Sequence, residues 1–409
     1  MTSLLLITLL ALAAGKDAEA TVATLDGRAI SGAVQSWSAK EISVAATDGV
    51  VQLAAGELLD VRWARDIAEA TEATSVELID GTRIPFASFS ITKRMATFTG
   101  KQFEQPLSVP REAIRLIELR APTQFVATAL EEIERKQAPG DSLVVSQRDS
   151  ETMDYLTGVI GDVTAEQATF EWDGDRVPVK RTKIAAMVFY QARQPSLPEA
   201  VCELSLIDGS RIVASDVSLL GGRLHVTTPA GVALEAPLEQ VMRADFSAGK
   251  IAYLSDMKSG EVRWTPGLGV PAGWASARSL PRSDQSFSGS PLTLLWKDDV
   301  ALSRRDVRTY AKGLAVRSRT EITYRLPAGM KRFITTAGMD PDDSGHGNVR
   351  LEVRGDDRVL WEGVVQAGQA PVEIDVELGS ARRLHLLVDY GEHLDFGDRL
   401  HLAEARVTK

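Results

Sequence analysis

The chain has 409 residues, 44% of them hydrophobic and 25% charged, with a net charge of −10. At roughly 100–200 residues per domain this predicts about two to four domains, each with enough apolar material for a core that needs no disulfide or metal staple. The acidic balance excludes nucleic acid as the main partner, because phosphate binding needs a positive surface. The single cysteine excludes an internal disulfide. Cys202 lies in a run where alternate positions read as buried, so it is a small core hydrophobe rather than a reactive thiol.

The first residues carry an address. The apolar run at 4–12 is followed by Ala13-Ala14-Gly15 and then Ala18-Glu19-Ala20, both small-x-small cleavage patterns. This suits a signal peptide over 1–20 and is too short to span a bilayer. No second long apolar run follows, so the mature chain is expected to be exported and to carry no membrane span.

Internal repeats come next. Asp26-Gly27, Asp80-Gly81 and Asp208-Gly209 each stand between alternating apolar residues. Asp-Gly in that setting predicts a hairpin with a type I′ turn, which needs positive φ at both central residues. A second turn follows each of them, at Asp48-Gly49, Thr99-Gly100 and Ala230-Gly231. Each unit closes on an apolar strand, at 58–63, 114–119 and 241–246. Pro110-Arg111-Glu112 and Pro237-Leu238-Glu239 predict a single helical turn before the last strand. A degenerate copy at 141–192 lacks the opening Asp-Gly but keeps Asp173-Gly174.

The chain therefore divides into β units at 21–66, 74–120, 141–192 and 199–248, each of about five short strands in roughly 45–55 residues. Such units form strongly bent sheets or small barrels, similar in architecture to Sm-like or SH3-like barrels. Alternatively, pairs of units share one larger sandwich, since open strand edges favour side-by-side pairing. Between the second and third units, apolar residues at 126, 130 and 133 fit one helical face, so 121–140 is read as a helical linker that either packs on a sheet or meets a partner.

From about Lys250 the texture changes. Strands at 321–326, 349–353, 359–363, 371–376 and 384–389, separated by polar turns, predict a two-sheet jelly roll, so the fold class is all-β throughout. Here the sequence carries Tyr253-Leu254-Ser255-Asp256, then Lys312-Gly313-Leu314-Ala315-Val316-Arg317-Ser318. Thr323-Tyr324-Arg325-Leu326, Ala337-Gly338-Met339-Asp340, Leu386-Leu387-Val388-Asp389 and Asp398 follow. On these residues, 250–409 resembles the NPCBM family of carbohydrate-binding modules. The resemblance implies a galactose-binding-domain-like jelly roll, often found beside secreted glycosidases. The order of barrel-like repeats before such a module resembles exported planctomycete-type proteins. The family usually has His where Arg317 stands and Trp where Leu402 stands.

Two polar loops are candidate sites. In 340–347, Asp340, Asp342 and His346 read as a solvated tip or as sugar contacts. Asp340, Asp342 and Asp343 alternatively offer oxygens to a structural calcium, although the spacing is not that of an EF-hand loop. No other cofactor is expected. The loop at 392–398 is the second, with Asp398 at its end. If the two loops share one rim they form one site. Aromatic residues that stack on sugars are sought in Trp264 and Trp274, within a Pro/Gly-rich loop, and in Tyr390; Trp296 is a further candidate, while Trp361 reads as core. Arg317 completes the carbohydrate-binding set.

Catalytic patterns are absent: there is no His-Glu-x-x-His, Gly-x-Ser-x-Gly, phosphate loop or zinc cluster. A glycosidase carboxylate pair stays open by composition, but short-strand units leave little room for its cleft. The reading is a secreted, non-catalytic glycan-binding protein whose β repeats serve as spacer or protein-interaction platform. The alternative is an assembly component of the cell envelope that binds protein partners or itself.

Overall fold

The computed structural model describes residues 19–66, 74–92, 94–101, 103–121, 123–136, 139–146, 153–192, 195–265, 280–299, 304–342, 346–392 and 394–409. The leader reading at 1–18 lies outside them. Glu19 and Ala20 belong to the first strand, and Ala20 is fully buried. Cutting after Ala20 would remove a core residue. The chain splits into two compact units, Met1–Ala248 and Gly249–Lys409.

The first unit contains four repeats of short strands, hydrogen-bonded into one 19-stranded sheet and one three-stranded sheet. In the first, Glu19–Thr24 pairs with both Ala29–Trp37 and Leu58–Trp63, and Glu41–Ala46 and Gly49–Ala54 continue from Ala29–Trp37. The third repeats this order with Asp141–Ser146 pairing Met153–Val163 and Ile184–Val188, followed by Gln167–Trp172 and Asp175–Lys180. The long second strand must bend sharply to close each repeat, and glycine permits it. A Cβ at Gly32 would collide with the Ala45 carbonyl, and one at Gly158 with the Glu171 carbonyl. In the second and fourth repeats the same strand is broken instead, into Arg83–Pro85 and Ser88–Thr92, and into Arg211–Ala214 and Asp216–Leu220. The single turns before the last strands are present at Arg111–Ala113, Arg181–Lys183 and Leu238–Gln240.

The Asp-Gly turns differ from the type I′ expectation. Gly27, Gly81 and Gly209 have φ of 86°, 88° and 84°, but Asp26, Asp80 and Asp208 are not in the left-handed region. Leu78 accepts from Gly81 N–H and donates to the Thr82 carbonyl, which is a type I turn followed by a left-handed glycine. The aspartate side chain decides the outcome: Asp80 accepts from the Thr82 N–H at 2.8 Å, and Asp208 from the Ser210 N–H at 2.8 Å. Only Asp173-Gly174, with φ of 52° and 83°, is the two-residue form with both positive.

The repeats associate through their edges. Last strand meets last strand twice: Leu58–Trp63 pairs with Val241–Asp245, joining the first repeat to the fourth. Ile114–Glu118 pairs with Ile184–Val188, joining the second to the third. Chain neighbours one and two are thus not last-strand partners. The second and fourth repeats meet at Arg83 and Arg211, where Asp80 also accepts from the Ala230 N–H at 2.8 Å. One buried cluster runs through all four, from Ala20 to Phe246, and includes Cys202.

The helix spans Gln124–Lys136. Val126 and Ala129 are buried, with Leu130 and Ile133 beside them, against Leu116, Val144, Ala185 and Ala186. It covers the seam between the second and third repeats, which is the packing role. Below it, the Asp141 carboxylate accepts from the Ile160 N–H at 2.9 Å and the Tyr190 N–H at 3.0 Å and pairs with Arg111.

The second unit is a two-sheet sandwich. One sheet runs Arg282–Ser283, Gly313–Arg317, Arg399–Thr408, Arg332–Met339, Val372–Glu377, with Ile251–Tyr253 also on Arg399–Thr408. The other runs Ser259–Trp264, Thr320–Arg325, Arg383–Tyr390, Asn348–Gly355, Arg358–Gln366. Alternate residues of both, among them Leu254, Leu314, Phe333, Leu351, Leu386 and Leu402, fill the space between them. Leu402 is fully buried, so this position serves the core rather than a surface site. Burial pushes the Tyr324 phenol up to about 12.

Candidate functional site at one rim of the sandwich

Strands Ser259–Trp264, Gly313–Arg317, Arg332–Met339 and Arg383–Tyr390 deliver their ends to one rim, and the start of Arg399–Thr408 completes it. Asp398 is the knot. Its carboxylate is 3% exposed and accepts from the Ser318 hydroxyl at 2.6 Å and the Asn348 N–H at 2.9 Å. Buried charge demands such partners. This fixes the turn after Arg317 and the end of the 340–347 loop to the late acidic loop. The two loops approach so closely that a Cβ at Gly347 would strike the Gly397 carbonyl, and one at Gly391 would strike Asn348.

The two loops thus meet, and they do so beside an exposed aromatic. Phe396 is 62% exposed, with the exposed His346 ring tilted over it at 6.3 Å between centroids. Leu394 is also exposed and has φ of 55°, a conformation that a bulky residue holds only when its surroundings impose it. On the neighbouring strands, Trp264 donates its indole N–H to the Ser318 carbonyl at 3.0 Å, and Tyr390 donates its hydroxyl to the Thr265 carbonyl at 2.6 Å. Burial, with Asp395 adding to it, raises the Tyr390 phenol above its ordinary value. Both aromatics are half-buried, anchored by their polar ends with a ring surface left at the rim.

Asp340 is buried rather than exposed. It accepts from the Asp342 N–H at 3.0 Å and lies 3.5 Å from Nε2 of the fully buried His401, whose Nδ1 is 2.9 Å from the Thr293 carbonyl. Arg317 lays its guanidinium over the Phe287 ring at 4.5 Å. Asp342 is exposed at the loop. Trp274 and Asp343 lie outside the described residues. Among the described residues no three His, Cys, Asp or Glu side chains converge as a metal site, and Asp340 and Asp342 are joined to each other through a backbone N–H. Trp296 stands elsewhere, donating to the Tyr310 hydroxyl at 2.8 Å under Arg308. Trp361 is half-buried against the core.

The site residue that sequence reasoning passed over is Phe396. A large apolar side chain between Asp395 and Gly397, in a polar loop with no alternation to bury it, is a signal of exposure. Conversely, the Tyr253–Asp256 and Lys312–Ser318 runs carry the fold. Lys312 reaches Asp256 at 2.6 Å and Asp284 at 3.0 Å, and Asp284 also accepts from the Gly313 N–H at 3.0 Å. Gly313 begins the strand whose other end, Arg317, leads to the rim.

A sandwich whose loops gather aromatic and acidic groups at one end is a binding-module architecture, and among its described residues no helix is long and apolar enough to cross a membrane. Residues 253–408, nearly the whole of the second unit, match the NPCBM/NEW2 domain. Solved structures with some likeness include the CBM51-2 and INT domains of Clostridium perfringens ZmpB in complex with GlcNAc, at 22% identity and TM-score 0.33 over 47% of this chain and 37% of that one. The present chain thus spans little more than a third of that structure. CBM51 from Clostridium perfringens GH95 in complex with methyl-galactose gives 20% identity and TM-score 0.32 over 39% of this chain and 99% of that one. The tandem CBM51 modules of the Streptococcus pneumoniae family 98 glycoside hydrolase give 13% identity and TM-score 0.32 over 82% and 87%. No curated protein matches the chain.

Proposed function

We propose that the protein is an exported, non-catalytic glycan-binding protein, and that its ligand rests on the rim formed by 340–342, 346–347, 391–392 and 394–398. The observation that carries this is the exposed Phe396 beside His346, where the two loops are tied together by Asp398. A sugar ring offers a flat apolar face and a fringe of hydroxyls, so it needs an aromatic platform with nearby acceptors and donors. Phe396 and His346 serve as platform, Asp342 and Arg317 as polar contacts, and Trp264 and Tyr390 as the flanking wall. Asp340 and Asp398 position the loops. No calcium is required in this reading, because Asp340 already has its partners within the protein. An open rim of this size holds sugar weakly, in the micromolar to millimolar range or about 4–8 kcal/mol. The four barrels then act as a spacer or a platform for partners.

A glycan array probed with the full chain tests the proposal. Retention on one glycan class, competed by the free sugar, is the expected result. Silence across all classes at millimolar sensitivity would remove it.

A further inference from the structure

We propose that the open edge strand Gly49–Ala54 of the first barrel pairs with the same strand of a second copy of this chain. The inference does not depend on the glycan reading.

Four equivalent strand edges occur within this one molecule. Each barrel ends its meander on a fourth strand that pairs with one neighbour among the described residues: Gly49–Ala54, Leu107–Pro110, Asp175–Lys180 and Ala233–Pro237. A strand with one free side presents unpaired N–H and C=O groups, and proteins blunt such edges with proline and charge. Three of these strands are blunted, by Pro110, by Pro178 with Arg176 and Lys180, and by Pro237 with Glu235. Proline has no N–H to offer an incoming strand. Gly49–Ala54 alone has neither proline nor charge, and its exposed positions are Gly49, Val50, Gln52 and Ala54. Val50 is 60% exposed.

The occupant follows from how this chain already associates. Twice in this unit, equivalent strands of two barrels pair antiparallel across an open edge, Leu58–Trp63 with Val241–Asp245 and Ile114–Glu118 with Ile184–Val188. The same operation applied to Gly49–Ala54 needs a second copy. Side chains directly opposite in an antiparallel pair share a face. A register centred on Gln52 therefore sets the open backbone of Gln52 against its own copy, with Val50 beside Ala54 and Val51 beside Leu53, while the Ala54 N–H and C=O stay with Glu57 and end the pairing there. A six-residue strand pair is a small interface, which makes the dimer weak and concentration-dependent.

Sedimentation velocity of the full chain tests this. From ~1 to ~200 µM the mass should rise from one chain toward two, as a small interface requires. The double substitution Val50→Lys with Gln52→Lys places like charges across the two-fold and should weaken association at least tenfold while leaving the melting temperature unchanged. Gln52→Cys should give a disulfide-linked dimer under mild oxidation, since the native Cys202 is buried. A wild type that stays monomeric throughout, a dimer indifferent to the lysines, or a Gln52→Cys chain that does not cross-link would each overturn the pairing.

Discussion

Asp398 and Asp342 both belong to the rim yet carry different loads. Removing the Asp398 carboxylate strands the Ser318 hydroxyl and the Asn348 N–H in a buried place. Unsatisfied buried donors cost about 1–3 kcal/mol each, so Asp398→Ala should lose roughly 2–4 kcal/mol in urea unfolding, whereas the exposed Asp342→Ala should stay within about 0.5 kcal/mol. A second test concerns Asp284. Burial pushes its carboxyl up, but hydrogen bonds from Lys312 and the Gly313 N–H help outweigh this and hold it below the ordinary value of 3.8. A depressed carboxyl contributes stability above its unfolded value and loses it as the pH falls through the folded one. Asp284→Asn should therefore be about 1 kcal/mol less stable at neutral pH, after allowing for solvent screening of a partly exposed pair, and the difference should close as the pH falls below 3.8 and through the lowered folded value. Lys312 is raised by Asp256 and then Asp284, so its share is full below 10.5 and fades at higher pH.

At the scale of elements, the barrels depend on where a strand can bend. Gly32→Ala and Gly158→Ala put a methyl group against a facing carbonyl, which backbone alone must absorb. Each should lower the melting temperature by several degrees, the equivalent of about 2 kcal/mol or more, while Gly27→Ala, whose surroundings are open, should cost only the roughly 1 kcal/mol of its positive φ. The elements themselves were legible in the sequence because alternation and glycine punctuation are local signals. The jelly-roll strands and the helix at 124–136 read directly from their periods. The turn type did not, because an aspartate side chain bonding the N–H two residues on competes with the type I′ geometry, and that contest is invisible in the dipeptide. Barrel pairing did not either: strand edges of similar shape can meet in several ways, and the order one with four and two with three is a long-range outcome. The two acidic loops were legible as loops, but their meeting depends on Asp398, and Phe396 was overshadowed by the tryptophans. Both carboxylates expected at the surface, Asp340 and Asp398, are buried, since polarity in a loop sequence does not reveal which polar groups hold the loop shut.

For the whole molecule, two separate cores imply two separate melts. One buried cluster links all four barrels, and another fills the sandwich. Scanning calorimetry should resolve two transitions, with Gly158→Ala moving one and Asp398→Ala moving the other; a shift of both by either substitution would contradict the division. The functional account rests on the rim of the sandwich and most directly on one side chain. Affinity electrophoresis of wild type and Phe396→Ala against the polysaccharide selected on the array, with circular dichroism as a check on folding, isolates it. The account predicts retention of the wild type and at least a tenfold loss for the variant with an unchanged spectrum. Equal retention of the two proteins would contradict it.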